Sequence, residues 1–266
     1  MKKLENKVIW ITGASSGIGE ALAYELAGEK NFLILSARRE DKLERVKSQC
    51  PPTSQDSICL LPLDLSVGSS IPDKVAEALK WKGHIDVLIN NGGISQRGLA
   101  KDTILDVDRR IMEVNYFGTI ALTKAILPSM IQKRSGHIVV NTSLTGKFST
   151  PLRSSYAASK HALHGFFDAL RAELFDSNIK VTILAPGFVK TDITLHALTN
   201  EGKTFNQMGE AQASGMDVHT CAQKMIRAIE REKEEVYIGG KEVYAVYLKR
   251  FFPGLFSKMV RKAKVT

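Results

Sequence analysis

Short apolar runs that do not alternate, each leading into a stretch with apolar residues at helical spacing, constrain this chain more than any other feature. "KVIWIT" (7–12) precedes "SSGIGEALAYELAGEK", "FLILSA" (32–37) precedes the charged "REDKLERVKSQC", and "ICLLPLDL" (58–65) precedes a helix around "IPDKVAEALK". "DVLINN" (86–91) leads into a long helical stretch over about 106–134, followed by "HIVVNTS" (137–143), a helix over about 155–175 and "KVTILAP" (180–186). A strand that is apolar on both sides must be covered on both faces, as a parallel strand between two helix layers is. The alternation therefore predicts right-handed βαβ units in one doubly wound parallel sheet of an α/β protein.

No internal repeat, low-complexity tract or linker divides the 266 residues, so a single domain over 1–266 is expected. "CPPTSQDS" (50–57) reads as a surface loop, and the mixed, glycine-containing stretch 191–216 reads as a mobile substrate lid. The net charge is +9, but residues 241–266 hold seven Lys/Arg against one Glu, so most of the excess is a property of the tail. A basic tail on a balanced body does not point to nucleic acid. Cys50, Cys59 and Cys221 lack the spacing of a zinc site or a disulfide framework, and no metal is expected. The N-terminal "MKKLENKVIWITG" has no cleavage-site pattern and no apolar run reaches a membrane span, so a cytoplasmic protein is the expectation.

"TGASSGIG" (12–19) lies where the first strand passes into the first helix. Gly13 permits a tight turn, Gly17 lets backbone approach a ligand, Gly19 allows close helix–strand packing, and the free helix-start N–H groups attract a pyrophosphate. The spacing is G-x-x-x-G-x-G, and alone it is also compatible with an ordinary turn. A Rossmann-type sheet with this loop implies a dinucleotide. The second strand ends in Ser36, Ala37, Arg38, Arg39, with no carboxylate to accept ribose hydroxyls and two guanidinium groups to pair with a 2′-phosphate. NADP is expected over NAD, although Glu40 and Asp41 follow closely.

Tyr156 and Lys160, in "SSYAASKHAL", are one helical turn apart and share a face. A nearby ammonium favours a phenolate, as acid–base chemistry with a phenol requires. Tyr-x-x-x-Lys alone is common on exposed helices; Ser143, at the end of the fifth strand, places a hydroxyl where open α/β sheets bind ligands.

Together with "LDL" (Asp64), "NNGG" (90–93), Asn115 in "VNYFG" and "PGFVKT" (186–191), these elements resemble the classical short-chain dehydrogenase/reductase family from about Lys7 to Thr191. The resemblance implies a catalytic set of Asn115, Ser143, Tyr156 and Lys160. Tyr156 would be the acid or base, Ser143 would polarise the carbonyl, Lys160 would lower the tyrosine's pKa and hold the nicotinamide ribose, and Asn115 would hold a proton-relaying water. It implies cofactor contacts from Gly13, Ser15, Ser16, Gly17, Ile18 and Gly19, from Arg38 and Arg39, from Asp64 and Leu65 at the adenine, and from Asn91 and Gly92 beside the ribose. Tyr156, Lys160, Pro186, Gly187, Val189 and Thr191 would meet the nicotinamide end.

Two departures stand out. Gly92 replaces the family's usual alanine, which should loosen that loop slightly, and Ser16 stands where many NADP-using members are basic. An oxidoreductase acting on a carbonyl or secondary alcohol is implied, the alternative being a catalytically idle dinucleotide sensor or scaffold. Leu144, Phe148, Pro151, Leu152, Ile193 and Leu195 are expected to line an apolar pocket, with Lys147, Arg153 and His196 nearby and Arg153 a candidate for an acidic group. By analogy a homodimer or homotetramer forms through the helices at 106–134 and 155–175, with Phe166 and Phe167 as interface or core. The tail 243–266 interleaves aromatics with Lys and Arg, which suits a lipid surface, a partner subunit or its own domain.

Overall fold

The computed structural model describes residues 4–263. Seven strands form one parallel sheet: β1 (Val8–Thr12), β2 (Phe32–Ser36), β3 (Ile58–Leu60), β4 (Val87–Asn90), β6 (Gly136–Asn141), β7 (Ile179–Pro186) and β9 (Glu235–Ile238). Their spatial order is β3-β2-β1-β4-β6-β7-β9, so the winding direction reverses between β1 and β4. A separate parallel pair joins β5 (Gln96–Arg97) to β8 (Leu198–Thr199).

The continuous apolar runs follow from two cores. Ile9, Ile11, Leu33, Leu35 and Ile89 face one layer, made by α1 (Gly17–Ala27), α2 (Glu40–Gln49) and α8 (Val218–Glu230). Their neighbours Val8, Trp10, Ile34 and Leu88 face the other layer, made by α3 (Ile71–Lys82), α5 (Gly118–Lys133) and α6 (Ser154–Glu173). Alternate side chains of each strand thus serve opposite cores, and neither set can be polar. Trp10 reconciles its indole with burial by donating to Ser36 Oγ at 2.8 Å, and Ser36 donates on to Leu61 O at 2.7 Å.

Some elements depart from the sequence reading. The run 58–65 is regular strand only over Ile58–Leu60, but Leu61 and Leu63 still donate to Leu35 O and Ala37 O at 3.0 Å, and Pro62 falls between them where its missing N–H faces the open edge of the sheet. The stretch 106–134 is interrupted: α4 (Leu105–Met112) passes through a π-helical turn, Glu113–Phe117, into α5. β6 stops at Asn141, so Ser143 lies two residues past the strand and caps a short 3₁₀ turn by accepting from Thr145 N at 3.2 Å. The edge strand β9 has too weak a sequence signal to stand out, its four residues EVYI following directly on the charged run 230–234.

The stretch 191–216 is not a bare flap. It contains β8 and α7 (Glu210–Ala213), and Thr194 and Ala197 are fully buried. After β9, α9 (Tyr244–Phe251) and α10 (Pro253–Val260) fold back onto the domain, where Phe256 packs edge-on against Phe148 at 5.5 Å. Phe167 is core, while Phe166 is only half-buried against Tyr116. Residues 264–266 of the basic tail lie outside the described residues. No helix among the described residues is long and apolar enough to cross a membrane, and no cluster of three or more His, Cys, Asp or Glu among them could hold a metal ion.

Candidate active site

The glycine loop is built by close approach. Gly13 (φ +64°) and Gly17 (φ +57°) adopt the left-handed region, and a Cβ on Gly13 would lie 2.8 Å from Gly92 Cα. Gly19 takes no part in the cleft wall; a Cβ there would run into Gly13 O, so its role is to let α1 pack beneath the loop. Across the switch point, Thr12 Oγ1 accepts from Asn91 N (3.0 Å) and Gly92 N (2.9 Å), and Asn141 Nδ2 donates to Asn91 Oδ1 at 2.8 Å. The "NNGG" loop is therefore firmly held. An alanine methyl at 92 would sit 2.8 Å from Leu65 Cδ1, so here the leucine fills the space that the family's alanine would take.

From this loop a cleft of about 710 Å³ runs over the carboxyl ends of the strands. It is lined by Ser15, Ser16, Gly17 and Ile18, by Arg38 and Arg39, by Asp64, Leu65, Asn91 and Gly92, and at its far end by Ser143, Tyr156, Lys160, Pro186, Gly187, Val189 and Thr191. Arg38 and Arg39 are exposed at its rim. Among the described residues neither makes an ion pair, and Asp41 pairs instead with Lys42 at 3.9 Å. Burial alone would raise the Asp64 carboxyl, but hydrogen bonds from Ser66 and the charges of Arg38 and Arg110 outweigh it and hold it below the ordinary carboxylate range. The rim can therefore receive an anionic phosphate, and the glycine cradle would admit backbone-bound pyrophosphate; the residues present fit a dinucleotide.

At the other end Tyr156 and Lys160 lie on one face of α6, both buried. Burial raises the Tyr156 phenol, opposed by the Arg153 guanidinium, a hydrogen bond with Ser143 and the Arg97 guanidinium. Lys160 is turned elsewhere: its Nζ donates to Asn141 O at 2.9 Å and lies 5.7 Å from the phenol ring centroid. Burial pulls its ammonium down to about 8. Asn115, in the π turn, is fully buried and does not reach the cleft. Its amide is spent on Ile94, accepting from the backbone N at 2.8 Å and donating to the carbonyl at 2.9 Å, and on Ser159 Oγ at 3.0 Å. Gly93 lies between Asn115 and Lys160, its absent Cβ 3.0 Å from Asn115 Oδ1 and 3.8 Å from Lys160 Nζ.

Residues 7–202 match the family model described as short chain dehydrogenase. The chain belongs to the short-chain dehydrogenase/reductase family. It is 46% identical over 270 residues to an Anopheles gambiae protein named dehydrogenase/reductase SDR family protein 7-like, covering 98% of this chain and 84% of that one. It is 41% identical over 263 residues to the Mus musculus dehydrogenase/reductase SDR family member 7B, covering 97% and 81%. Among solved structures, a short-chain dehydrogenase from Streptomyces avermitilis superposes with a TM-score of 0.81 at 28% identity over 97% of this chain and 96% of its own. One from Burkholderia phymatum, in complex with NAD, superposes at 0.84 with 23% identity over 96% of both chains, a likeness of fold. The protein is thus an oxidoreductase of the short-chain dehydrogenase/reductase family.

In this family member several site residues were missed by sequence reading. Gln212 on α7 donates through Nε2 to Val189 O and, at 3.3 Å, to Thr191 Oγ1, pinning the segment after β7. Glu242 accepts from Phe188 N at 3.4 Å and lies where a side chain on Gly187 would be. Arg97 lines the cleft near Tyr156. Each is an isolated polar residue far in sequence from the motifs it serves, and no spacing rule marks it. A second, largely apolar cavity of about 610 Å³ adjoins the first, sharing Ser143, Arg153 and Gly187. Leu144 and Phe148 line it as expected, but its other walls come from Phe188 and the α9–α10 pair rather than from the 191–216 stretch. Ile193 and His196 line the larger cleft; Lys147, Pro151, Leu152 and Leu195 line neither, Lys147 pairing with Glu235 at 2.7 Å.

Proposed function

We propose that the protein is an NADP(H)-dependent reductase of carbonyl compounds with a substantial apolar part, with Tyr156 as the general acid. The observation that carries this reading is one cleft with two exposed arginines at its rim, Arg38 and Arg39, which make no ion pair among the described residues, and a buried Tyr156 with Ser143 and Lys160 at its other end. When bound, the reduced nicotinamide supplies a hydride to the carbonyl carbon. Tyr156 holds the proton that goes to the carbonyl oxygen, and burial, which favours the neutral phenol, suits it to that role. Ser143 donates to the same oxygen. Lys160 holds the ribose hydroxyls and supplies positive charge as the phenolate forms, and Asn115 acts as a positioning residue for the backbone at Ile94. The products are a secondary alcohol, or a primary one from an aldehyde, and oxidised cofactor.

Steady-state rates on a panel of apolar aldehydes and ketones with NADPH and NADH test this. NADPH is expected to be preferred, and Arg38→Ala with Arg39→Ala to lower the NADPH/NADH ratio of kcat/KM about 100-fold. Tyr156→Phe should lower kcat at least about 1,000-fold while leaving NADPH affinity unchanged. Tight cofactor binding without turnover of any carbonyl would favour the sensor reading instead.

We also propose contact with an anionic lipid surface through α9 and α10. Tyr244, Phe251, Phe252 and Leu255 are exposed there, interleaved with the exposed Arg250, Lys258, Arg261 and Lys262. Deleting the tail would unroof the apolar cavity, so surface variants are the better test. Phe251→Glu with Phe252→Glu should abolish flotation with phosphatidylserine-containing vesicles, and equal flotation of variant and parent would remove the proposal. A dimer or tetramer across the stretch 106–134 and α6, covering the exposed Phe117 of the π turn and Ile131 of α5, completes the reading and is tested by sedimentation.

A further inference from the structure

Two arginines at the Tyr156 end of the cleft are held in a costly arrangement. β5 runs beside the start of α6: Gly98 bridges Arg153, Gly98 N donates to Leu152 O at 3.1 Å, and Ser155 N donates to Gln96 Oε1 at 3.0 Å. Leu152, the residue before Arg153, has φ +67°, a left-handed conformation that side chains disfavour. This backbone sets Arg97 and Arg153 in the same stretch of cleft wall, the two residues only 4% and 8% exposed and close enough for the charge of Arg153 to act on Arg97.

Neither has a carboxylate partner among the described residues. Arg97 reaches only Gln96 O (3.1 Å) and Thr194 Oγ1 (3.3 Å), Arg153 lies 5.7 Å from the Phe188 ring centroid, and Nε of both is buried without an acceptor. Buried ions are retained only when something compensates them. Here burial, then the like charge of Arg153, pulls Arg97 down to about 10. A Tyr156 phenolate would favour both charges, but burial drives that phenol toward its neutral form, which supplies no counter-charge. Nor would a dinucleotide phosphate, whose cradle is the glycine loop and the Arg38–Arg39 rim at the opposite end. What remains is an anion that enters with the substrate.

We propose that Arg97 and Arg153 form an oxyanion subsite beside Tyr156, and that the substrate is a ketone carrying a phosphate monoester or carboxylate near its carbonyl. The proposal rests on the reductase reading and names its substrate class. Two guanidinium forks match a phosphate dianion better than a carboxylate, which would neutralise one charge of two. Arg153 borders both cavities, so an anionic head at the arginines leaves an apolar chain to extend under α9 and α10.

The test uses the full chain with NADPH and ketone pairs of the same carbon skeleton, one with and one without the anionic group: 2-oxooctyl phosphate against 1-hydroxy-2-octanone, and 4-oxodecanoate against its methyl ester. The anionic member should lead by about 100-fold in kcat/KM, more for phosphate than carboxylate, and Arg97→Gln or Arg153→Gln should collapse that ratio to within a few-fold, with Arg153→Lys restoring part of it. Calorimetry with octyl phosphate, which has no carbonyl, should show binding to the NADP-loaded protein that weakens about 100-fold in the same variants. Equal rates for the two members of each pair in the parent protein overturn the proposal even if the variants fail to fold. So does an equal fall for both members with a displaced pH profile, which would assign the arginines to the acidity of Tyr156. Octyl phosphate binding without turnover of any ketone would instead refute the reductase reading and leave the subsite standing.

Discussion

Lys160 shows how one side chain can oppose stability while serving a site. It is buried without a carboxylate partner among the described residues, and burial lowers its ammonium from an ordinary 10.5 to about 8. The unfolded chain therefore binds the proton more tightly, so the penalty is complete below about pH 8 and fades as pH rises toward 10.5. Lys160→Met is expected to unfold at higher urea at pH 7, by about 1–3 kcal/mol, with the gain shrinking toward pH 10 and activity lost at every pH. An unchanged midpoint at pH 7 would show that Asn141 O already compensates the charge. The tyrosine–lysine pair itself was legible, since a four-residue spacing fixes a common helix face. What spacing could not tell is that the guanidinium charges acting on Tyr156 come from Arg97 and Arg153, while Lys160 bonds a strand carbonyl.

At the scale of elements, the π turn Glu113–Phe117 is the feature that a 3.6-residue pattern conceals, because one wide turn inside a long helix leaves the apolar periodicity nearly intact. It places Asn115 to satisfy both backbone groups of Ile94, beneath the loop that carries Gly92 and Gly93. Asn115→Ala should orphan a buried donor and a buried acceptor together and destabilise by about 2–4 kcal/mol. Hydrogen exchange at the Ile94 amide should accelerate in step, and a fall in activity with Ile94 protection unchanged would contradict a positioning role. The C-terminal helices carry a different lesson. Their mixture of aromatics and cations left self-packing, lipid and partner all open, and long-range contacts such as Phe148 with Phe256 make the inner face a cavity wall while the outer aromatics stay exposed.

For the whole molecule, the two cores meet in a sheet whose few polar side chains are tightly specified. His137 on β6 is buried, and burial, with Glu232 raising it and Lys180 lowering it, holds it at about 4. Thr182 Oγ1 donates to Lys233 O at 2.6 Å, so it accepts from His137 Nε2 at 2.8 Å, which places a proton on Nε2; it is burial that disfavours a second one on Nδ1. As pH falls below 6.5 the unfolded chain takes up a proton that the folded chain refuses until about 4, so stability is lost through that window. Between pH 7 and pH 5 this histidine should account for about 2 kcal/mol of the loss, read as the difference between the parent and His137→Gln in urea unfolding at the two pH values. No such difference would mean that His137 takes up its proton equally readily in the folded and unfolded chain. The parallel sheet, its helix layers, the glycine loop and the Ser143–Tyr156–Lys160 grouping were determined by the sequence alone, because period and spacing are local and each turn or helix face converts them into position. The partnership of Arg97 with Arg153, the pinning of the segment after β7 by Gln212 and the roofing of the apolar cavity by α9 and α10 were decided only by tertiary structure. They join residues dozens to more than a hundred positions apart, through burial and pairing that no local pattern encodes.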